Sequence, residues 1–109
     1  MFTEFTAEPF YWQGDTQSWV FARLPRELAD DVAELADDAR ARTGSTRGFG
    51  SIRVEARIGA SEWRTSLFPE ARSQKRPRGY LLPLKAAVRK AEGIEPGRPV
   101  TVRIRLLDL

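Results

Sequence analysis

The 109-residue sequence predicts an all-β fold: a small β-barrel carrying two short helices. Three observations predict it. Three stretches alternate apolar and polar residues with a period of two, the mark of a half-buried strand. Two further stretches, each opened by proline and closed by glycine, repeat their apolar residues with helical spacing. The order strand, Leu-Pro, helix, glycine, strand occurs twice, at Leu24-Pro25 and at Leu82-Pro83. A unit of that kind cannot bury its apolar face by itself, whereas two packed together can close a barrel. The expectation is therefore one domain over residues 1–109, double-split and pseudo-two-fold.

In chain order, Thr3 to Trp12 reads as a first strand, dense in aromatic residues, with Pro9 marking an edge or an end. Gln13-Gly14-Asp15 is a turn. In the second strand, Ser18 to Leu24, Trp19 and Phe21 share one face and Val20 and Ala22 the other, so the strand is expected to be covered on both sides. Pro25 opens the first helix, where its missing N–H costs nothing. Leu28, Val32, Leu35, Ala36 and Ala39 form its apolar stripe. Acidic Glu27, Asp30 and Asp31 come early and Arg40 and Arg42 late, as the helix dipole prefers. Gly44 stops it, and Ser45 to Gly48 form a loop.

The third strand, Phe49 to Gly59, puts Ile52, Val54, Ala56 and Ile58 on one face and Arg53, Glu55 and Arg57 on the other. It turns at Gly59-Ala60-Ser61 into a fourth, Glu62 to Phe68, making a hairpin. Glu70 to Arg78 has no apolar periodicity and reads as an exposed, mobile loop. After a short strand, Gly79 to Leu82, Pro83 opens the second helix and Gly93 caps it, with Ile94 as the accompanying apolar contact. Pro99 to Leu107 is the last strand: Val100, Val102, Ile104 and Leu106 face in, Thr101, Arg103 and Arg105 face out. The total is six strands and two short helices.

Composition narrows function by exclusion. Histidine and cysteine are both absent, which removes Cys- or His-based metal sites, thiol nucleophiles, Ser–His triads and disulfides. No apolar run approaches a membrane span and the first residues do not read as a signal peptide, so the expectation is a cytoplasmic protein without membrane contact. Charge is asymmetric. Residues 1–38 hold nine acids and two bases, whereas residues 39–109 hold sixteen bases and six acids. Such asymmetry marks an anionic partner. The excess of arginine over lysine is attributed to a GC-rich genome, which favours arginine without any functional cause.

Along the whole chain, GFGSIRVEARIG (48–59), WRTSLFP (63–69), GYLLPLKAAVRKAEGI (79–94) and PGRPVTVRIRLLDL (96–109) resemble the bacterial family known as domain of unknown function 1905. FTAEPFYW and SWVFARLP near the start match its style. The resemblance implies a double-split β-barrel. In that wider group, the stretch Gly93-Ile94-Glu95-Pro96-Gly97 through Val100 is similar to one in swapped-hairpin antitoxin and transition-state-regulator domains, which are DNA-binding homodimers. This family places both halves in one chain, so the resemblance implies their fold and not their DNA role. Members also occur fused to a domain linked with bacteriocin protection. No catalytic residue carries over. The segment 70–78 departs from the family in being longer and more basic than its usual short acidic turn.

Three groups of residues are candidate sites. The first is the basic loop Arg72, Lys75, Arg76 and Arg78, suited to phosphates through counterion release; the plain alternative is an exposed loop that tolerates charge. The second is the outward strand face Arg53, Arg57, Arg103 and Arg105, with Glu55 expected to pair with one of them; the alternative is a solvated face that prevents edge association. The third is Arg64, Ser66, Tyr80, Lys85 and Arg89, a set suited to a carboxylate or phosphate if it converges at a barrel mouth; the alternative is surface pairing of Lys85 and Arg89 with Glu62, Glu70 or Glu92. The aromatic residues Phe5, Phe10, Trp12, Trp19, Phe21, Phe49, Trp63 and Phe68 are expected in the core.

The reading is a non-enzymatic binding module for a small anion or nucleic acid, without metal or cofactor, acting as monomer or homodimer. Its alternative is a protein-interaction or accessory module using an apolar barrel face. An enzyme built on Arg64, Tyr80 and Lys85 would require those three side chains to meet in one cleft.

Overall fold

The computed structural model describes residues 2–12, 19–43, 51–70, 72–73, 76–77 and 79–107. Seven strands form one curled antiparallel sheet in the order β1-β9-β4-β5-β8-β3-β2. They are β1 (Phe2–Ala7), β2 (Phe10–Tyr11), β3 (Val20–Arg23), β4 (Ile52–Ile58), β5 (Ser61–Pro69), β8 (Tyr80–Pro83) and β9 (Val100–Leu106). A separate small hairpin joins β6 (Arg72–Ser73) to β7 (Arg76–Pro77). The helices are α1 (Arg26–Thr43) and α2 (Ala86–Glu92). The architecture is an all-β half-barrel, as the alternating stretches predict.

The curl has a covalent cause. β1 and β2 lie at opposite edges of the sheet, yet only Glu8 and Pro9 separate them. Three Cα steps of about 3.8 Å hold those edges together. Proline cannot donate to a ladder, so the strand run breaks there. Its first part pairs with β9 and its second with β3. The Pro9 carbonyl accepts a hydrogen bond from the Gly97 N–H at 2.8 Å. β5 is divided in the same way, pairing with β4 and, through Phe68 and Pro69, with β8.

The twofold echo is real, but its register differs from the sequence reading. β3 and β8 pair around Ala22 and Leu82. Leu24 N–H donates to the Tyr80 carbonyl at 3.1 Å and Leu84 N–H donates to the Val20 carbonyl at 2.9 Å. The equivalent residues are therefore Leu24 and Leu84, each two before its helix, rather than the Leu-Pro pairs. Pro83 ends β8 instead of opening α2, and Lys85 is the N-cap. β4 and β9 pair with one another, completing the exchange.

Alternation fills the core. Ile52, Val54, Ala56 and Ile58 of β4 and Val102, Ile104 and Leu106 of β9 are buried together with Trp63, Leu67 and Leu82. α1 has 18 residues, so it is not short, and it buries Ala29, Val32, Ala33 and Ala36 in the same cluster. Leu28 and Leu35 pack at the margin of that stripe, which is rotated slightly from the one the spacing predicts. Gly93 caps α2 in the left-handed conformation at φ 61°, and Ile94 is buried behind it. Segment 70–78, expected as a loop, contains the β6–β7 hairpin. The expected turn at 13–15, the glycine stop at 44, the loop 45–48 and Phe49 lie outside the described residues.

Candidate functional site

Antiparallel register places the outward residues of four strands in rows. One row runs Phe2, Arg105, Glu55, Arg64 across β1, β9, β4 and β5; the next runs Glu4, Arg103, Arg57, Glu62. Arg53 and Ser66 extend this face beside the first row. The four arginines expected to form an outward stripe are thus on one face. Arg64 and Ser66 join them, which the sequence reading assigned to a different cluster.

The face is a charge lattice rather than a bare basic stripe. Arg105 Nη2 donates to Glu55 Oε1 at 3.0 Å, and Arg64 Nε lies 3.8 Å from the other Glu55 oxygen. Arg103 Nε donates to Glu4 Oε1 at 2.9 Å. Arg57 Nη1 lies 4.0 Å from Glu62 Oε2, and its Nε donates to the Gly59 carbonyl at 3.3 Å. Five arginines and three glutamates occupy the face, leaving an excess of two positive charges. A shallow depression of about 80 Å³ lies among Phe2, Glu55, Arg57, Glu62, Arg103 and Arg105. It is well below the ~300–1,000 Å³ of sites that enclose a drug-sized ligand.

The third candidate cluster does not converge. Arg64 and Ser66 are on the outer face, whereas Tyr80 pairs with Pro69 and is buried in the core. Lys85 is exposed at the start of α2, and half-buried Arg89 donates from Nε to the Leu84 carbonyl at 3.0 Å. β8 turns Tyr80 inward because Leu82, two residues on, shares the core face. The three side chains that a catalytic reading requires in one cleft point to three different places. The glutamates considered as partners for Lys85 and Arg89 have other contacts: Glu62 with Arg57, Glu70 with Arg23 and Glu92 with Ser61.

Of the basic loop, Arg72 and Arg76 stand in the paired strands β6 and β7. Lys75 and Arg78 lie outside the described residues. Glu70 N–H donates to the Gly79 carbonyl at 2.8 Å, so this hairpin rises from the junction of β5 and β8. The acidic residues Asp30, Asp31, Glu34 and Asp38 are exposed on α1, as a solvated helix face requires. Among the described residues no cluster of acids is placed to hold a metal ion.

The aromatic residues divide, and this corrects the expectation that all are core. Phe5 and Trp63 are buried. Phe10, Trp12, Trp19, Phe21 and Phe68 are instead on the outer side of the β2–β3–β8 end. Trp19 is 58% exposed, Phe68 46% and Trp12 38%. Val20 and Ala22 face the core, so alternation turns Trp19, Phe21 and Arg23 outward. Half-buried Phe21 is the hub. Trp12 meets it edge-on at 5.6 Å between ring centres, Trp19 lies nearly parallel at 6.3 Å, and Phe10 is 6.4 Å away. Arg23 sits 4.6 Å over the Phe10 ring and makes a bidentate pair with Glu70 at 2.9 and 2.7 Å. The Glu70 hydrogen bonds hold the Arg23 guanidinium above its ordinary pKa against partial burial, so its charge is permanent. The signal was present in the sequence as the spacing of Trp19, Phe21 and Arg23.

Fold and faces define a small half-barrel protein with two chemically distinct open surfaces, one charged and one aromatic. The chain belongs to the family described as Domain of unknown function (DUF1905), whose model it matches over residues 5–104. No curated protein matches it. Among the described residues, no helix is long and apolar enough to cross a membrane.

Proposed function

We propose that the protein is a non-enzymatic binding module for an anionic partner, a nucleic acid or a small anion. The observation that carries this reading is the outer face of β9, β4 and β5, with its excess of arginine. The side chains of Arg57, Arg64, Arg103 and Arg105 are all more than half exposed. Exposed ion pairs of this kind are worth about 0–1 kcal/mol each. A phosphate can therefore take the place of a glutamate at little cost, and each such contact releases counterions. The broad, shallow form of the face suits a surface ligand better than an enclosed one. The test is fluorescence anisotropy with labelled duplex DNA, single-stranded DNA and RNA at low and physiological salt. Micromolar binding that weakens steeply with salt is expected; absence of binding at low salt removes nucleic acid as the partner.

A second reading, a protein-interaction or accessory module, draws on the exposed aromatic surface. It predicts a concentration-dependent dimer or a co-purifying protein, in either case insensitive to salt.

A further inference from the structure

We infer that the aromatic face of β2 and β3 is a stacking platform for single-stranded nucleic acid, formed by Phe10, Trp12, Trp19 and Phe21 with Arg23 and Phe68 beside them. The inference rests on the anionic-partner reading and names both the nucleic-acid form and a surface separate from the arginine lattice.

Three features carry it. The first is exposure of large flat rings on a sheet face. Soluble proteins seldom leave contiguous aromatic surface open without a partner, and Trp12, Trp19 and Phe68 are each more than a third exposed. The second is that these rings are interleaved with a cation in fixed position. Glu70 holds one edge of the Arg23 guanidinium through Nε and Nη2, and the group sits over Phe10, so a planar positive group continues the aromatic surface. Nucleobases stack on aromatic rings and on guanidinium planes alike.

The third feature is where the face leads. Phe10 pairs with Phe21, Phe21 with Pro83, Arg23 with Leu81, and Leu81 with Phe68. The surface therefore passes from the two tryptophans, through Phe10 and Phe21, to Arg23, and beyond buried Leu81 to exposed Phe68. It ends at Glu70 and Gly79, where the β6–β7 hairpin begins and returns. Arg72 and Arg76 stand in the strands of that hairpin. From Trp19 to Arg23 is four steps of extended chain, about 13 Å. Aromatic stacking at one end and positive charge at the other is the combination a single strand requires. A duplex offers backbone charge but keeps its base faces covered by neighbouring bases. An apolar protein partner would use the rings and leave the basic end without a counterpart.

The test is a titration of the full chain with an oligothymidylate of about twelve nucleotides, within the ~4–16 that one small barrel accommodates. A duplex of equal length is run beside it, and tryptophan fluorescence is the readout. Trp12 and Trp19 lie on the platform while Trp63 is buried, so stacking is expected to quench most of the exposed emission. The single strand is expected to bind at least tenfold more tightly than the duplex. Trp19→Ala and Trp12→Ala are each expected to weaken it by about five- to a hundredfold, the range that loss of one base–aromatic stack covers. Both positions are exposed, so thermal melts should remain near those of the parent, and either variant suffices if the other folds poorly. Arg103→Gln should weaken single strand and duplex by the same modest factor. Equal affinity for the two DNA forms overturns the inference. So does undiminished binding by Trp19→Ala and Trp12→Ala, a result that leaves the arginine face as the anion site. Absence of binding to any nucleic acid at low salt overturns the inference and leaves a small anion as the partner of the arginine face. Self-association lost in Trp19→Ala, without DNA binding, assigns the face to a second copy of the chain and likewise overturns it.

Discussion

Gly59 gives the sharpest test of the packing between the α2 unit and the β4–β5 hairpin. It occupies the turn between β4 and β5 at φ 57°, and a Cβ there would collide with the Glu92 carboxylate. Glu92 accepts a hydrogen bond from the Ser61 hydroxyl at 2.6 Å, tying the end of α2 to the start of β5. Gly93 is the natural control, because its φ is 61° and nothing lies within 4 Å of its added Cβ. Gly93→Ala should therefore cost only the left-handed backbone term, about 1–2 kcal/mol. Gly59→Ala pays that term and also displaces Glu92. A hydrogen bond to a charged group contributes about 1.5–3 kcal/mol, and partial exposure reduces it here to about 1–2. The expected total is about 2–4 kcal/mol, against about 1–2 for Gly93→Ala. At roughly 4–8 °C per kcal/mol for a domain of about this size, Gly59→Ala should melt about 8–32 °C below the parent. Glu92→Ala should make the two losses sub-additive, because the bond can be lost only once. Urea denaturation of the parent, both glycine variants, Glu92→Ala and the Gly59→Ala/Glu92→Ala double variant measures all these terms. Equal costs for the two glycine substitutions, or strict additivity with Glu92→Ala, would refute the collision.

Other outcomes follow from the same geometry. Leu82 is fully buried at the centre of the β3–β8 pair, so Leu82→Ala should cost about 2–5 kcal/mol in chemical denaturation. Glu55→Gln removes the carboxylate shared by Arg105 and Arg64. It should change stability by less than about 1 kcal/mol while raising affinity for a polyanion several-fold in low-salt anisotropy; unchanged affinity would show that this face does not meet the ligand. Glu70→Gln weakens the clamp on Arg23, and it should lower affinity for single-stranded oligonucleotide while leaving duplex affinity unchanged.

Much of the fold was legible because its strands are amphipathic. In β4 and β9 a strict alternation of aliphatic residues with charged and polar ones fixed both inner and outer faces, and so placed Arg53, Arg57, Arg103 and Arg105 correctly. The capping glycine of α2 was equally plain, since a helix stop followed by an apolar residue has one common geometry. β3 was misread for a physical reason. Apolar residues on both faces of a strand ordinarily mean cover on both sides, and periodicity carries no information about whether a second layer is present. Here Trp19 is 58% exposed and Phe21 half-buried on the outer side. Pro83 misled because proline at N1 and proline at the end of a strand look alike locally; only the β3–β8 register separates them. The cluster of Arg64, Tyr80 and Lys85 failed because adjacency in sequence motifs does not establish a shared face. Alternation in β8 commits Tyr80 to the core, whatever its neighbours do.

The measurement closest to the central claim is the dependence of nucleic-acid affinity on salt concentration for the unmodified chain. If exposed guanidinium groups meet phosphates, log K should fall linearly with log salt. For a single strand contacted at about three to five phosphates, the slope is about −2 to −3.5. Affinity that is absent at low salt, or that holds constant as salt rises, would contradict recognition of nucleic acid by this protein.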